Sequence, residues 1–156
     1  MKQINVGIGE FAVSKNPEEK IKTFGLGSCV AIIVLDPKVR SVGLMHVALP
    51  ESSINPEKAE KLPGYFADTG IPHLLNHMAK LGSKPNGQGL IFKLVGGAQV
   101  MDPNQRFNIG KRNVLTIKKI LWKYNLAVVA EEVGGNISRT VEVDAGTGRV
   151  TISQGS

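Results

Sequence analysis

The strongest constraint on this chain is a pair of apolar runs only a few residues apart. Residues 29–35, CVAIIVL, are nearly continuous and rich in β-branched side chains, the pattern of a strand buried on both faces. Residues 41–48, SVGLMHVA, form the second run, and Asp36-Pro37 between them reads as a turn. Strands joined by so short a connection pair antiparallel, so a hairpin is predicted. Centring its turn near Lys38 places residue 29 opposite about residue 47.

The rest of the chain is built around that hairpin. Residues 4–13 alternate loosely and are strand-like, and Asn16-Pro17-Glu18-Glu19-Lys20 follows as a polar turn. Residues 51–61 form a polar, proline-containing loop. A helix then runs to Leu81-Gly82, with Ile71, Leu74, Leu75 and Met78 as its core stripe and Gly82 as its stop. Pro72 marks either a start near residues 69–71 or a kink. Residues 89–95 are a strand running into Gly96-Gly97. A second helix spans 108–124, with Asn108 as N-cap and Ile117, Ile120, Leu121 and Tyr124 on one face. Strands at 126–133, 139–143 and 148–153 end the chain, separated by Gly134-Gly135-Asn136 and Gly146-Thr147-Gly148. No repeat or linker divides these elements. Residues 1–156 are therefore predicted to form a single α/β domain, a sandwich of a mixed, largely antiparallel sheet with two main helices packed against it.

Composition narrows the functional classes. Hydrophobic residues make up 42% of the chain and charged residues 21%, enough for a real core. No apolar run approaches the ~20 residues that span a bilayer, and the N-terminus lacks the apolar segment of a secretory signal. The single cysteine excludes an internal disulfide and the Cys-rich zinc patterns, and it fits a reducing cytoplasm. The net charge is +6 but its positive residues are spread thinly, the densest cluster being Lys111, Arg112, Lys118, Lys119 and Lys123. With three aromatic residues near it at most, this cluster reads as a solvated helix face rather than a nucleic-acid platform.

The chemistry-bearing stretch is Thr23-Phe-Gly-Leu-Gly-Ser-Cys29. Its two glycines permit a tight turn at positive φ and bring backbone N–H groups close to whatever binds there. Cys29 stands at the first residue of the buried strand or just before it. A packed small hydrophobe and a positioned nucleophile are both open readings of such a thiol. Backbone N–H groups around Gly27, Ser28 and Cys29 are suited to a developing oxyanion. His46, on the partner strand, is the base within reach, although a bulge would change the face it occupies. In the enzyme reading the thiolate attacks an amide carbonyl, His46 returns its proton to departing ammonia, and water hydrolyses the thioester. The Thr23 hydroxyl or the Thr23 backbone carbonyl is the candidate for orienting the imidazole.

Thr23-Phe-Gly-Leu-Gly-Ser-Cys29, followed by Gly43-Leu44-Met45-His46-Val47-Ala48-Leu49-Pro50, resembles the signature of CheD, the chemoreceptor glutamine deamidase family. The similarity continues through Val95-Gly96-Gly97-Ala98, Asn108-Ile109-Gly110-Lys111-Arg112-Asn113, and Gly134-Gly135-Asn136 with Arg139. The resemblance implies a catalytic set falling on Cys29, His46 and Thr23, needing no cofactor and no metal. It further implies conversion of selected glutamine side chains to glutamate on chemoreceptor cytoplasmic helices, a CheC-type phosphatase as partner, and an α/β fold similar to that of a bacterial toxin deamidase. A non-catalytic module binding CheC or receptors is the contrasting expectation, and a hydrolase of small amides is a third.

The remaining polar features have plainer readings. His73 and His77 have the i, i+4 spacing of zinc ligands but no evident third ligand, and read as surface residues. Gly96-Gly97 lacks the Lys-Ser/Thr of a phosphate loop and reads as a turn that helps to shape the pocket. Asp102 and Asp144 read as turn carboxylates.

Overall fold

The computed structural model describes residues 1–99 and 108–154, so the expectation for Asp102 lies outside the described residues. Among the described residues the strands are β1 (Lys2–Asn5), β2 (Phe11–Ser14), β3 (Glu19–Leu26), β4 (Val30–Asp36), β5 (Ser41–Val47), β6 (Ile91–Gly96), β7 (Val128–Val133), β8 (Arg139–Asp144) and β9 (Val150–Gln154). The helices are α1 (Pro56–Lys61), α2 (Ala67–Lys80) and α3 (Ile109–Lys123). The predicted α/β sandwich of mixed, largely antiparallel strands forms, with its strands shared between two sheets, β1-β3-β8-β9 and β2-β5-β4-β6-β7.

β4 explains the layering. Its even residues Val30, Ile32 and Val34 pack with Met45, Phe92 and Leu94 against Ile71, Leu74 and Met78 of α2 and Ile117 and Leu121 of α3. Its odd residues Ala31 and Ile33 pack with Val42 and Leu44 against Ile21, Val141 and Val143 of the other sheet. Both faces of the strand are covered, which is why its sequence is continuously apolar. The hairpin forms as predicted, with Asp36 Oδ1 accepting the Lys38 and Val39 N–H groups at 3.0 and 3.1 Å.

Several expectations are corrected. The run at 4–13 is two strands in different sheets, separated by the Gly7–Gly9 segment, whose Gly9 N–H donates to the His46 carbonyl. Thr23 lies within a strand, β3, rather than in the turn. There Ile21 and Thr23 face inward while Lys20 and Lys22 face outward toward Glu142, so alternating lysines mask the strand in the sequence. The loop at 51–61 contains α1, started by Pro56 and by Asn55, whose side chain accepts the Lys58 N–H. Helix α2 begins at Ala67, so Pro72 is internal, and it points to solvent. The buried stripe of α3 is Gly110, Asn113, Val114, Ile117 and Leu121, with Tyr124 38% exposed rather than buried. Asn108 stands at the N-cap position in a left-handed conformation, and its side chain makes no capping hydrogen bond.

Candidate active site

The register of the hairpin decides which side chains meet. Ala31 pairs with His46 and Val30 with Val47, so by extension Cys29 lies opposite Ala48. This is one residue beyond the offset expected from the sequence. The shift matters because side chains alternate faces along a strand. With Ala31 opposite His46, Cys29 and His46 fall on the same face, diagonal neighbours within side-chain reach. That face is the one turned toward the second sheet. Cys29 stands just before β4 rather than inside it.

Thr23 arrives from the second sheet. It is fully buried, and its Oγ1 lies 2.7 Å from His46 Nδ1 and 2.7 Å from the Val6 carbonyl oxygen. A hydroxyl has one proton, and a carbonyl can only accept it. The hydroxyl therefore donates to Val6 and accepts from Nδ1–H, which leaves Nε2 with its lone pair. Of the two Thr23 groups considered, the hydroxyl is the one that contacts the ring. Among the described residues nothing hydrogen-bonds Nε2, the Cys29 thiol included.

Burial sets the resting charge state. It pushes the His46 imidazole down from 6.5 to about 4 and pushes the Cys29 thiol up, with the cysteine's own backbone N–H partly offsetting the rise. The free protein therefore holds a neutral thiol beside a neutral imidazole at pH 7. Transfer of the thiol proton to the imidazole therefore runs uphill at rest.

The loop carrying Cys29 is held from one side. Ala98 N–H donates to the Gly27 carbonyl and Gly97 N–H to the Cys29 carbonyl, each at 2.8 Å. Between them, Asn113 Nδ2 donates to the Ser28 carbonyl at 3.0 Å and to the Ala48 carbonyl at 3.0 Å. Of the two turn glycines, Gly25 has the expected positive φ of 64°, whereas Gly27 does not take one. Gly96 matters more: a Cβ there would sit 2.3 Å from the Cys29 oxygen, at a φ of +116°. Gly110 lets the first turn of α3 press on the Gly97–Ala98 segment that holds this loop, since a Cβ would meet the Gly97 oxygen at 2.4 Å. Arg139, 6% exposed, donates from Nη1 to the Gly96 carbonyl at 3.3 Å and pairs with Glu132. The sequence placed Gly97 and Gly110 in the right segments, but nothing local in it marked Asn113 as a partner of Ser28.

Phe24 and Ile8 stay 42% and 55% exposed, one beside Thr23 and the other beside the turn that holds the His46 carbonyl. His73 and His77 lie elsewhere, in edge-on and tilted ring contacts with Phe11 and with each other at centroid separations of 4.6–4.9 Å, and among the described residues no third His, Cys, Asp or Glu joins them. Asp144 accepts the Gly146 and Thr147 N–H groups, as a turn carboxylate does. Lys111, Arg112, Lys119 and Lys123 are solvated on α3, and Lys118 pairs with Glu131 at 2.6 Å. No helix among the described residues is long and apolar enough to cross a membrane.

The fold is an α/β sandwich that brings an imidazole and the hydroxyl it contacts together between its two sheets, with a thiol on the same face. The family model described as "CheD chemotactic sensory transduction" matches residues 48–154. The chain belongs to the CheD family. A Syntrophotalea carbinolica protein named "Probable chemoreceptor glutamine deamidase CheD" is 52% identical over 98% of this chain and 94% of that protein. A Solibacter usitatus protein of the same name is 42% identical over 99% and 90%, respectively. The "Chemoreceptor glutamine deamidase CheD" of Thermotoga maritima is 40% identical over 97% of this chain and 91% of its own length. These alignments, unlike the family-model match, extend over Thr23, Cys29 and His46.

Proposed function

We propose that the chain is a protein-glutamine deamidase acting on chemoreceptors, with Cys29 as nucleophile, His46 as base and Thr23 as the group that orients the base. The observation that carries this reading is the Thr23–His46 contact at 2.7 Å, which leaves Nε2 as a free acceptor on the face shared with Cys29. The names of the full-length relatives supply the substrate class.

The reaction starts from the neutral pair. As Cys29 Sγ bonds to the carboxamide carbon, the thiol proton moves to His46 Nε2, and the carbonyl oxygen takes up the negative charge. The backbone N–H groups of Ser28 and Cys29 receive that charge, with Gly27 completing the turn that presents them. Protonated His46 then gives its proton to the departing nitrogen. Ammonia leaves, a thioester remains, and His46 deprotonates the water that hydrolyses it to glutamate and free Cys29. Thiol, imidazole and peptide N–H groups supply all of these steps without a metal or cofactor. Exposed Phe24 and Ile8 suit contact with the apolar part of a receptor helix, and the +6 charge suits an acidic one. A CheC-type phosphatase is the proposed second partner, and the cytoplasm the proposed compartment.

The test is incubation with a chemoreceptor cytoplasmic fragment followed by peptide mass spectrometry. A gain of about one mass unit at particular glutamines, absent with Cys29→Ala, is the expected result. Binding without any mass shift would refute the deamidase and leave a receptor-binding module. Turnover of free glutamine at a comparable rate would point to a small-amide hydrolase instead.

A further inference from the structure

Asn113 is fully buried on α3, 85 positions along the chain from Ser28, yet it contacts both arms of the candidate site. Its orientation is settled by chemistry: both neighbours are carbonyls, so the NH₂ group must face them. Its Oδ1 is buried with no hydrogen-bond partner among the described residues. An amide kept only for packing would carry that desolvation cost for nothing, since an apolar side chain of similar size avoids it.

Peptide geometry gives the two Nδ2 contacts their consequence. In a planar trans peptide the C=O and N–H point in opposite directions. The Ser28 carbonyl and the Cys29 N–H share one peptide. Holding the carbonyl at 3.0 Å therefore aims the Cys29 N–H the other way, away from α3. The second contact ties this peptide to Ala48, two residues past His46 and opposite Cys29 by the hairpin register. Gly110, pressed against the Gly97 and Ala98 oxygens, fixes the depth of α3 and hence of Asn113.

We propose that Asn113 is a positioning residue: it orients the Ser28–Cys29 peptide so that the Cys29 N–H meets the oxyanion. This rests on the thiol-deamidase reading above. The experiment compares wild type, Cys29→Ala, Asn113→Ala and Asn113→Asp on the receptor fragment, with circular dichroism and thermal unfolding of each chain.

For a folded Asn113→Ala we expect kcat to fall about ten- to a hundredfold, the scale of a misaimed oxyanion donor, with KM unchanged within about threefold. Alkylation of Cys29 by iodoacetamide displaces iodide at a saturated carbon and creates no oxyanion. Its rate should therefore change by less than about twofold. Should Asn113→Ala not hold its fold, Asn113→Asp carries the comparison, having nearly the native shape. Its carboxylate cannot donate to two carbonyls, but its protonated form can donate to one. The ratio of its activity to wild type should accordingly rise as pH is lowered.

A folded Asn113 variant with kcat within about twofold of wild type would refute the proposal. So would an alkylation rate that falls in parallel with kcat, because the residue would then act on the thiol itself. Wild type as inactive as Cys29→Ala would instead sink the deamidase reading, and this inference with it.

Discussion

Replacing Thr23 by valine removes one buried oxygen and almost no volume, so its effects trace to two hydrogen bonds. The hydroxyl donates to the Val6 carbonyl and accepts from His46 Nδ1, each at 2.7 Å, in a side chain with no solvent exposure. In Thr23→Val both partners remain buried without a replacement. At about 1–3 kcal/mol for each stranded group, the fold loses about 2–6 kcal/mol, a large part of the ~5–15 kcal/mol that holds a domain together. The kinetic effect is separate. Without an acceptor at Nδ1 the ring is free to rotate and to carry its proton on Nε2, where it no longer accepts from the thiol. General-base catalysis contributes about 10²–10⁴-fold, and loss of orientation should forfeit about ten- to a hundredfold of that. Deamidation of the receptor fragment, timed by mass spectrometry at a temperature where near-ultraviolet circular dichroism shows the variant folded, measures the loss. Thr23→Ser keeps the oxygen and should stay within about threefold of wild type. A folded Thr23→Val chain as active as Thr23→Ser would refute the reasoning.

Further consequences concern charge and packing. The folded chain holds the His46 imidazole at about 4, below its unfolded 6.5. Between those values the unfolded chain binds a proton that the folded chain does not. Stability is therefore complete above 6.5 and is lost as pH falls toward 4, by about 3 kcal/mol. Urea unfolding across that range should show a steeper loss for wild type than for His46→Gln; equal slopes would count against it, since His73 and His77, shifted in the same direction, are common to both. Because burial raises the Cys29 thiol, its alkylation by iodoacetamide should keep accelerating beyond the ordinary thiol range. A rate plateau between pH 5 and 7 would instead reveal a resting thiolate–imidazolium pair. Gly110→Ala places a methyl group 2.4 Å from the Gly97 oxygen. It should destabilise the fold by about 1–3 kcal/mol and slow deamidation at temperatures where the chain is still folded; a variant with unaltered melting and rate would show that α3 does not set the loop. If the +6 charge steers docking on acidic receptor helices, affinity for the fragment should fall between low and physiological salt, and an unchanged dissociation constant would remove that role.

Legibility differed sharply between elements. β4 and β5 were readable because a strand covered on both faces must be apolar throughout, and a short turn leaves antiparallel pairing as the outcome. β3 was not, because its outward lysines break the apolar pattern that marks a strand. α1 was hidden by its length of six residues, too few to show a helical period. The stripe of α3 was misplaced by a small rotation: Tyr124 looks like a core residue by type, while Gly110 and Asn113, which are buried, look like surface residues.

Taken by itself, the sequence determined the hairpin, the thiol at its mouth, the imidazole on the partner strand and the glycines of the turns, because local periodicity and turn chemistry specify each of these. The tertiary structure decided how they meet. Alternation has a period of two, so it cannot say whether residue 29 faces residue 47 or 48, yet that one step puts His46 on the face of Cys29. Thr23 reaches the imidazole only because two separate sheets stack, and Asn113 reaches Ser28 only because α3 packs its first turns against the nucleophile loop. Contacts between residues so far apart in the chain leave no local pattern; they exist only once the core has closed and the buried polar groups have had to find partners.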